Sequence, residues 1–207
     1  MIRIKSNIEK GKEAAGIYDS PKNISQVTKK ADKQEHYFKI TLKNITNDEL
    51  LDVDSVRQYV CMVAPVPVRG SFIYQTKINE ELKKDGLIID EYAIYINSEK
   101  AEKAYFTHIY EGENGNKKSI DEIFDVSFIK IYDYDNNILC WGWYGVSTFA
   151  KQMQKINLAR GIRLRKGNIQ IGSCSALNKL HKEDRGNYYF IGEIHAFHDD
   201  SSQKEGR

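Results

Sequence analysis

Seven cations and two tyrosines crowd the stretch from Arg160 to Tyr189: Arg160, Arg163, Arg165, Lys166, Lys179, Lys182 and Arg185, with Tyr188 and Tyr189 closing it. Guanidinium forks and ammonium groups at this density suit phosphate, whether in a nucleotide or along a nucleic-acid backbone, and tyrosine rings add stacking surfaces. The candidates for phosphate or nucleic-acid binding are therefore Arg160, Arg163, Arg165, Lys166 and Arg185. Glu183, Asp184 and Glu193 are the nearby acids that could neutralise them locally. Solvated arginines on an amphipathic hairpin are the plain reading of the same pattern.

Other constellations fail on spacing. Gly112-Glu-Asn-Gly-Asn-Lys-Lys-Ser119 invites comparison with a phosphate loop, but the glycine that must precede the lysine is replaced by Lys117, so a hydrophilic surface loop is expected. Asp133, Asp135 and Asn137 have the first spacings of a calcium loop. Ile138 stands where its glycine belongs and Tyr144 where its last carboxylate belongs, leaving a hairpin turn. His195 and His198 would point to opposite sides of an extended segment with no third ligand nearby, so no metal site is expected. No serine or cysteine sits in a nucleophile elbow, and nothing fixes a catalytic geometry.

The element that must carry the cations is Arg160-Gly-Ile-Arg-Leu-Arg-Lys-Gly-Asn-Ile-Gln-Ile-Gly172. Ile162 and Leu164 alternate with Arg163 and Arg165, and Ile169 and Ile171 resume the alternation after Lys166-Gly167-Asn168. That predicts a short hairpin, or one bulged strand, whose apolar face a sheet buries and whose arginine face is left for an anion.

Around it, alternation predicts strands over 36–42, 72–78, 87–97, 104–110, 124–134, 138–144 and 188–197. Residues 87–97 and 104–110 are expected to pair antiparallel, and 124–134 with 138–144 to form a hairpin that buries Trp141 and Trp143 on one face. Asp54 looks like the N-cap of a helix with Val56, Tyr59, Val60 and Val63 on one side, stopped by Pro65 and Pro67. Ser147 is expected to cap a short helix through Phe149, Met153 and Ile156, and 175–182 to form another. Strands in hairpins with helices between them argue an α+β fold with antiparallel or mixed sheets and short helices. Residues 1–35 read as a polar arm or the tail of a preceding domain, 36–198 as the folded region, and 199–207 as a polar tail.

Composition bounds the rest. The 207 residues, 41% hydrophobic and 11% aromatic, suffice for a real core. A formal charge of +2 advertises no global basic field. Cys61, Cys140 and Cys174 are widely spaced and odd in number, which reads as three reduced thiols. No apolar run approaches the roughly 18 residues of a membrane span, and no secretory leader opens the chain. A soluble, cytoplasmic protein is expected, with no membrane partner.

Several blocks in order carry a resemblance. They are Tyr-Phe-Lys-Ile-Thr-Leu42, Glu49-Leu-Leu51, Val-Ala-Pro-Val-Pro67, Gly-Ile-Arg-Leu-Arg-Lys-Gly-Asn168 and Asn-Tyr-Tyr-Phe-Ile-Gly-Glu-Ile-His195. Together they resemble the middle region of bacterial GHKL-type ATPases related to the ninety-kilodalton heat-shock chaperones, over about residues 36–198. The resemblance implies a transducer-type domain following an N-terminal ATP-binding domain, with that domain as partner and ATP with magnesium as its cofactor. A client protein or a second copy of the chain would be further partners. The ATP-binding signatures, a helix-borne Glu/Asn pair and an Asp-x-Gly-x-Gly turn, are absent, so the chain alone is not expected to bind ATP tightly. Relatives follow the last strand with a basic residue in an Asn-Ala-Arg-Arg-Asp-like run. Here the tail reads Asp-Asp-Ser-Ser-Gln-Lys-Glu-Gly-Arg207, and Lys204 or Arg207 would stand in for the catalytic cation. A non-enzymatic nucleic-acid-binding module using the Arg160–Lys166 face is the alternative.

Overall fold

A computed structural model describes residues 46–112 and 116–197. The expected strand over 36–42, the arm 1–35, the tail 199–207 with Lys204 and Arg207, and His198 all lie outside the described residues. The chain divides into two compact units, 1–52 and 53–207. In the first, residues 48–50 make a turn of 3-10 helix, and the Asn47 side chain accepts a hydrogen bond from the Glu49 amide.

In the second unit, helix α1 (Val53–Val63) and helix α2 (Gln75–Lys84) precede the strands. Helix α1 starts one residue before Asp54, so that carboxylate sits in the first turn, where it favours the helix dipole, instead of at the cap. Its buried residues are Cys61 and Met62, while Tyr59, expected on the apolar stripe, is 68% exposed. Helix α2 replaces the strand expected over 72–78. Ile78 and Leu82 lie four apart and are both buried, a helical period that continues past the end of the apparent alternation.

The strands are β1 (Tyr95–Ile96), β2 (Glu99–Lys100), β3 (His108–Glu111), β4 (Lys118–Glu122), β5 (Asp125–Tyr132), β6 (Ile138–Val146), β7 (Gly161–Lys166), β8 (Ile169–Gln170) and β9 (Ile191–Ala196). β1 pairs with β2 and β3 with β4, each antiparallel, so the expected pairing of 87–97 with 104–110 does not form. Residues 97 and 98 both take positive φ, which turns β1 back onto β2 locally. The remaining five strands form one mixed sheet in the order β5-β6-β9-β7-β8; only β9 and β7 run parallel. The architecture is thus α+β, with antiparallel and mixed sheets and few helices.

The β5–β6 hairpin forms as expected around Asp133, whose carboxylate accepts from the Asp135 and Asn137 amides, and Asn136 sits at φ 65. The β7–β8 hairpin also forms, with Gly167 and Asn168 at φ 54 and 60, the left-handed pair of a two-residue turn. No helix follows Ser147. Its hydroxyl accepts from the Phe149 amide and Phe149 takes φ 52, so the segment turns locally instead of winding. Of the helix expected over 175–182, a single 3-10 turn, Asn178–Leu180, exists.

Register fixes which side chains share a face. Phe128, Trp143, Glu193 and Arg163 form one cross-strand row, and Lys130, Trp141, His195 and Arg165 the next on the same face. Over the aromatic half of that face pack Phe72, Tyr105, Ile78 and Leu82, with the Tyr105 and Phe72 rings 5.0 and 5.5 Å from Trp143. Helix α2 is tied down by Lys130, which pairs with Glu81 and Asp85, and by the Trp141 indole N–H, which donates to Asp85. Among the described residues no helix is long and apolar enough to cross a membrane.

Candidate functional site: a buried charge hub on the sheet

The second half of the same face carries charge where a core would normally carry hydrocarbon. Glu193 in β9 and Arg165 in β7 are 2% and 0% exposed, and Lys103 and His195 beside them 1% and 3%. Unpaired charges at such depth would cost several kcal/mol each, so every one needs a partner.

Glu193 is the centre. One carboxylate oxygen, Oε1, accepts from the Tyr105 hydroxyl at 2.9 Å and lies 2.6 Å from Arg165 Nε. The other, Oε2, accepts from Lys103 Nζ at 3.0 Å and meets His195 Nε2 at 3.1 Å. Three hydrogen-bond partners and the Arg165 ion pair thus converge on one carboxylate. Burial acting alone would raise the Glu193 pKa; the Lys103 and Arg165 charges outweigh it and hold the group well below 4.5.

Each partner is held by a different piece of the chain. Pro65 and Pro67 force 64–68 into an extended run whose carbonyls are free to accept: Pro67 O takes the Lys103 amide and Pro65 O the Tyr92 amide. Val68 and Lys103 form a parallel bridge, which delivers Lys103 onto the sheet. Asn168, fixed at the hairpin turn, accepts from Lys103 Nζ at 2.6 Å and donates to the Asp90 carbonyl at 2.7 Å. Arg165 donates to the Asn168 carbonyl at 3.0 Å and to Met62 O at 2.7 Å. Met62 stands one residue from the end of α1, so Arg165 caps carbonyls that the helix cannot satisfy itself. The hub therefore joins β9, β7, the hairpin turn, the 101–105 segment and the C-terminal end of α1.

Protonation follows from these contacts. Burial lowers the His195 pKa below 6.5, against the pull of Glu193 and with the help of Lys103 and Arg165, so the ring is neutral at pH 7. Facing an acceptor-only carboxylate, Nε2 carries the proton, and Nδ1 is left as an acceptor without a protein partner among the described residues. Burial likewise lowers the Lys103 pKa, with Glu193 opposing, and raises that of Tyr105, with Glu193 adding to the effect. The hub is thus a carboxylate-oriented imidazole beside a buried ammonium and guanidinium. Among the described residues no group of three or more His, Cys, Asp or Glu side chains could hold a metal ion.

The arginine segment is covered on both faces: Ile162 is buried and Leu164 half-buried as expected, but the arginine face is not left open. Arg163 and Arg165 are buried, and Ile169 and Ile171 on the other strand are 40% and 42% exposed. The anion awaiting Arg165 is the chain's own Glu193. Arg163 donates to Gln170 Oε1 and to the Leu158 carbonyl. Arg160 stacks over the Tyr188 ring at 4.4 Å and donates to Met153 O. Lys166 is exposed, and Arg185, also exposed, pairs with Glu183. The five candidates do not converge on one surface. Lys103, Tyr105 and Asn168 escaped the sequence reading. Glu193 entered it only as a neutralising acid, although its place with His195 between Ile191 and Phe197, on the face that also carries those apolar residues, was a signal. Compared with protein-family models, with curated proteins and with solved structures, the chain finds no match.

Proposed function

We propose that this chain is the transducer, or middle, portion of a chaperone-like GHKL ATPase. It relays the nucleotide state of a separate N-terminal domain in the cytoplasm, and that domain, not this chain, holds Mg·ATP. The observation that carries the reading is the buried Arg165–Glu193 pair, 2.6 Å apart. It joins the two blocks on which the resemblance chiefly rests, Gly-Ile-Arg-Leu-Arg and Gly-Glu-Ile-His, on adjacent parallel strands.

A relay needs an element that two sites can both bias. The hub supplies one. A displacement of the α1 terminus acts on Arg165 through Met62 O, and through Glu193 it acts on β9. Beyond β9 the chain runs on to Lys204 and Arg207, the cations assigned to stabilising charge on the transferring phosphate. A client protein or a second copy of the chain would read out the change. The nucleic-acid alternative has less to work with, since Arg163 and Arg165 both donate inward.

The test is reconstitution. Adding this chain to a separately purified GHKL ATP-binding domain of chaperone type should raise that domain's ATP hydrolysis saturably, and Lys204→Ala with Arg207→Ala should remove the increase. A rate unchanged at saturating chain would overturn the reading.

A further inference from the structure

Beside the hub a cleft of about 310 Å³ opens between helix α2 and residues 87–91, with Lys103, Glu193 and His195 at its floor. Its walls are apolar: Val68, Ile78, Leu82, Leu87 and Ile89. Helix α2 adds the amides of Gln75 and Asn79 at the mouth. The transducer reading makes no use of this space, and the inference drawn from it stands independently of that reading.

What the floor offers is set by what the hub has already spent. Glu193 accepts from Lys103 and Tyr105, meets His195 and pairs with Arg165, so both its oxygens are engaged. Lys103 has three N–H bonds and spends two, on Glu193 and Asn168. His195 spends Nε2 and keeps Nδ1. Two basic side chains, Lys103 and Arg165, pair with one hub carboxylate, so the floor favours an added anion. The exposed Lys83 at the mouth has the same sign. Among the described residues lining the cleft, Glu91, exposed at the rim, opposes it, and Lys103 acts on that carboxylate electrostatically. An apolar sleeve closing on a partly unspent ammonium matches one chemistry.

We propose that this cleft binds a small amphipathic carboxylate, its hydrocarbon body along Val68, Ile78, Leu82, Leu87 and Ile89 and its anionic head on Lys103. Apolar walls with a few convergent polar groups are the usual make-up of small-molecule sites. The head group also displaces water from an ammonium whose full hydration is blocked by burial, where a charge-assisted hydrogen bond is strongest.

Sodium hexanoate is the probe, titrated into the isotope-labelled chain and followed by two-dimensional amide NMR, with 1-hexanol as the uncharged control. Hexanoate should shift the amides of Ile78, Leu82 and Ile89 saturably, and hexanol should leave them in place. Substituting Lys103 would break the hub, so the variants are made at exposed positions. Glu91→Gln removes the competing carboxylate and should tighten hexanoate by about threefold, the effect of one charge several ångströms away in water. Asn79→Phe fills the mouth and should abolish the shifts while the rest of the spectrum is retained. Hexanol acting as well as hexanoate, no saturable shift, unchanged or weaker binding in Glu91→Gln, or binding that survives Asn79→Phe would each overturn the proposal.

Discussion

Glu193 decides more about this protein than any other side chain. A carboxylate 2% exposed persists because Lys103, Tyr105, Arg165 and His195 all donate to it or pair with it. Removing Arg165 takes one of two basic partners from a buried carboxylate and leaves Met62 O and Asn168 O without its donor, so Arg165→Met should cost about 3–5 kcal/mol of unfolding free energy in urea titration; a loss below 1 kcal/mol, the range of exposed pairs, would show that the pair is not desolvated as described. Acid should weaken the same cluster. Below its ordinary pKa of 6.5, His195 takes a proton in the unfolded chain that the folded chain refuses, so stability falls as pH drops, by at most about 1.4 kcal/mol per pH unit. Glu193 adds a second loss in the same direction once pH falls below 4.5, where the unfolded chain protonates and the folded one resists. His195→Gln cannot titrate but keeps an N–H for Glu193. Urea unfolding at about pH 7 and about pH 5.5 should show a shallower pH dependence in the variant than in the parent; equal slopes would assign the acid sensitivity elsewhere. The arginine alternation was legible in the sequence, but the burial of its arginine face was not. Alternation assigns residues to two faces without saying whether the protein buries one or both, and here an internal carboxylate lets the arginine face be buried along with that of Ile162.

At the scale of elements, the sequence announced structure wherever local chemistry sufficed. Gly167 and Asn168 adopt the positive φ values their residue types permit, and Asp133 organises the β5–β6 turn by accepting neighbouring amides. Helix α2 was missed because Phe72 and Tyr74 mimic a strand, and only Leu82, beyond the expected end, completes the helical period with Ile78. The helix expected after Ser147 failed because its hydroxyl serves a local turn. Long-range pairing was the least legible: nothing local tells β9 to lie between β6 and β7. Glycines nevertheless permit that placement, Gly142 on β6 and Gly192 on β9. A Cβ at Gly192 would stand 2.2 Å from the Trp143 carbonyl oxygen, backbone that has no room to yield. Gly192→Ala should therefore abolish the native near-ultraviolet signal of Trp141 and Trp143 by forcing β9 away from β6. A spectrum identical to the parent's would contradict the strand order.

At the scale of the whole molecule, the α+β class was legible because hairpins and short helices leave separate sequence patterns. The hub was not, since it gathers residues from 62 to 195 through contacts that no spacing encodes. That same reach is what suits it to the proposed relay: α1, the hairpin turn and β9 meet at one buried carboxylate, and none can shift without disturbing the others. The account requires the nucleotide to sit in another domain. Calorimetric titration of this chain alone with Mg·ATP tests that requirement most directly. Heats no larger than dilution are predicted up to millimolar nucleotide, whereas saturable micromolar binding would mean the chain holds its own ATP site and is no relay for a neighbour's.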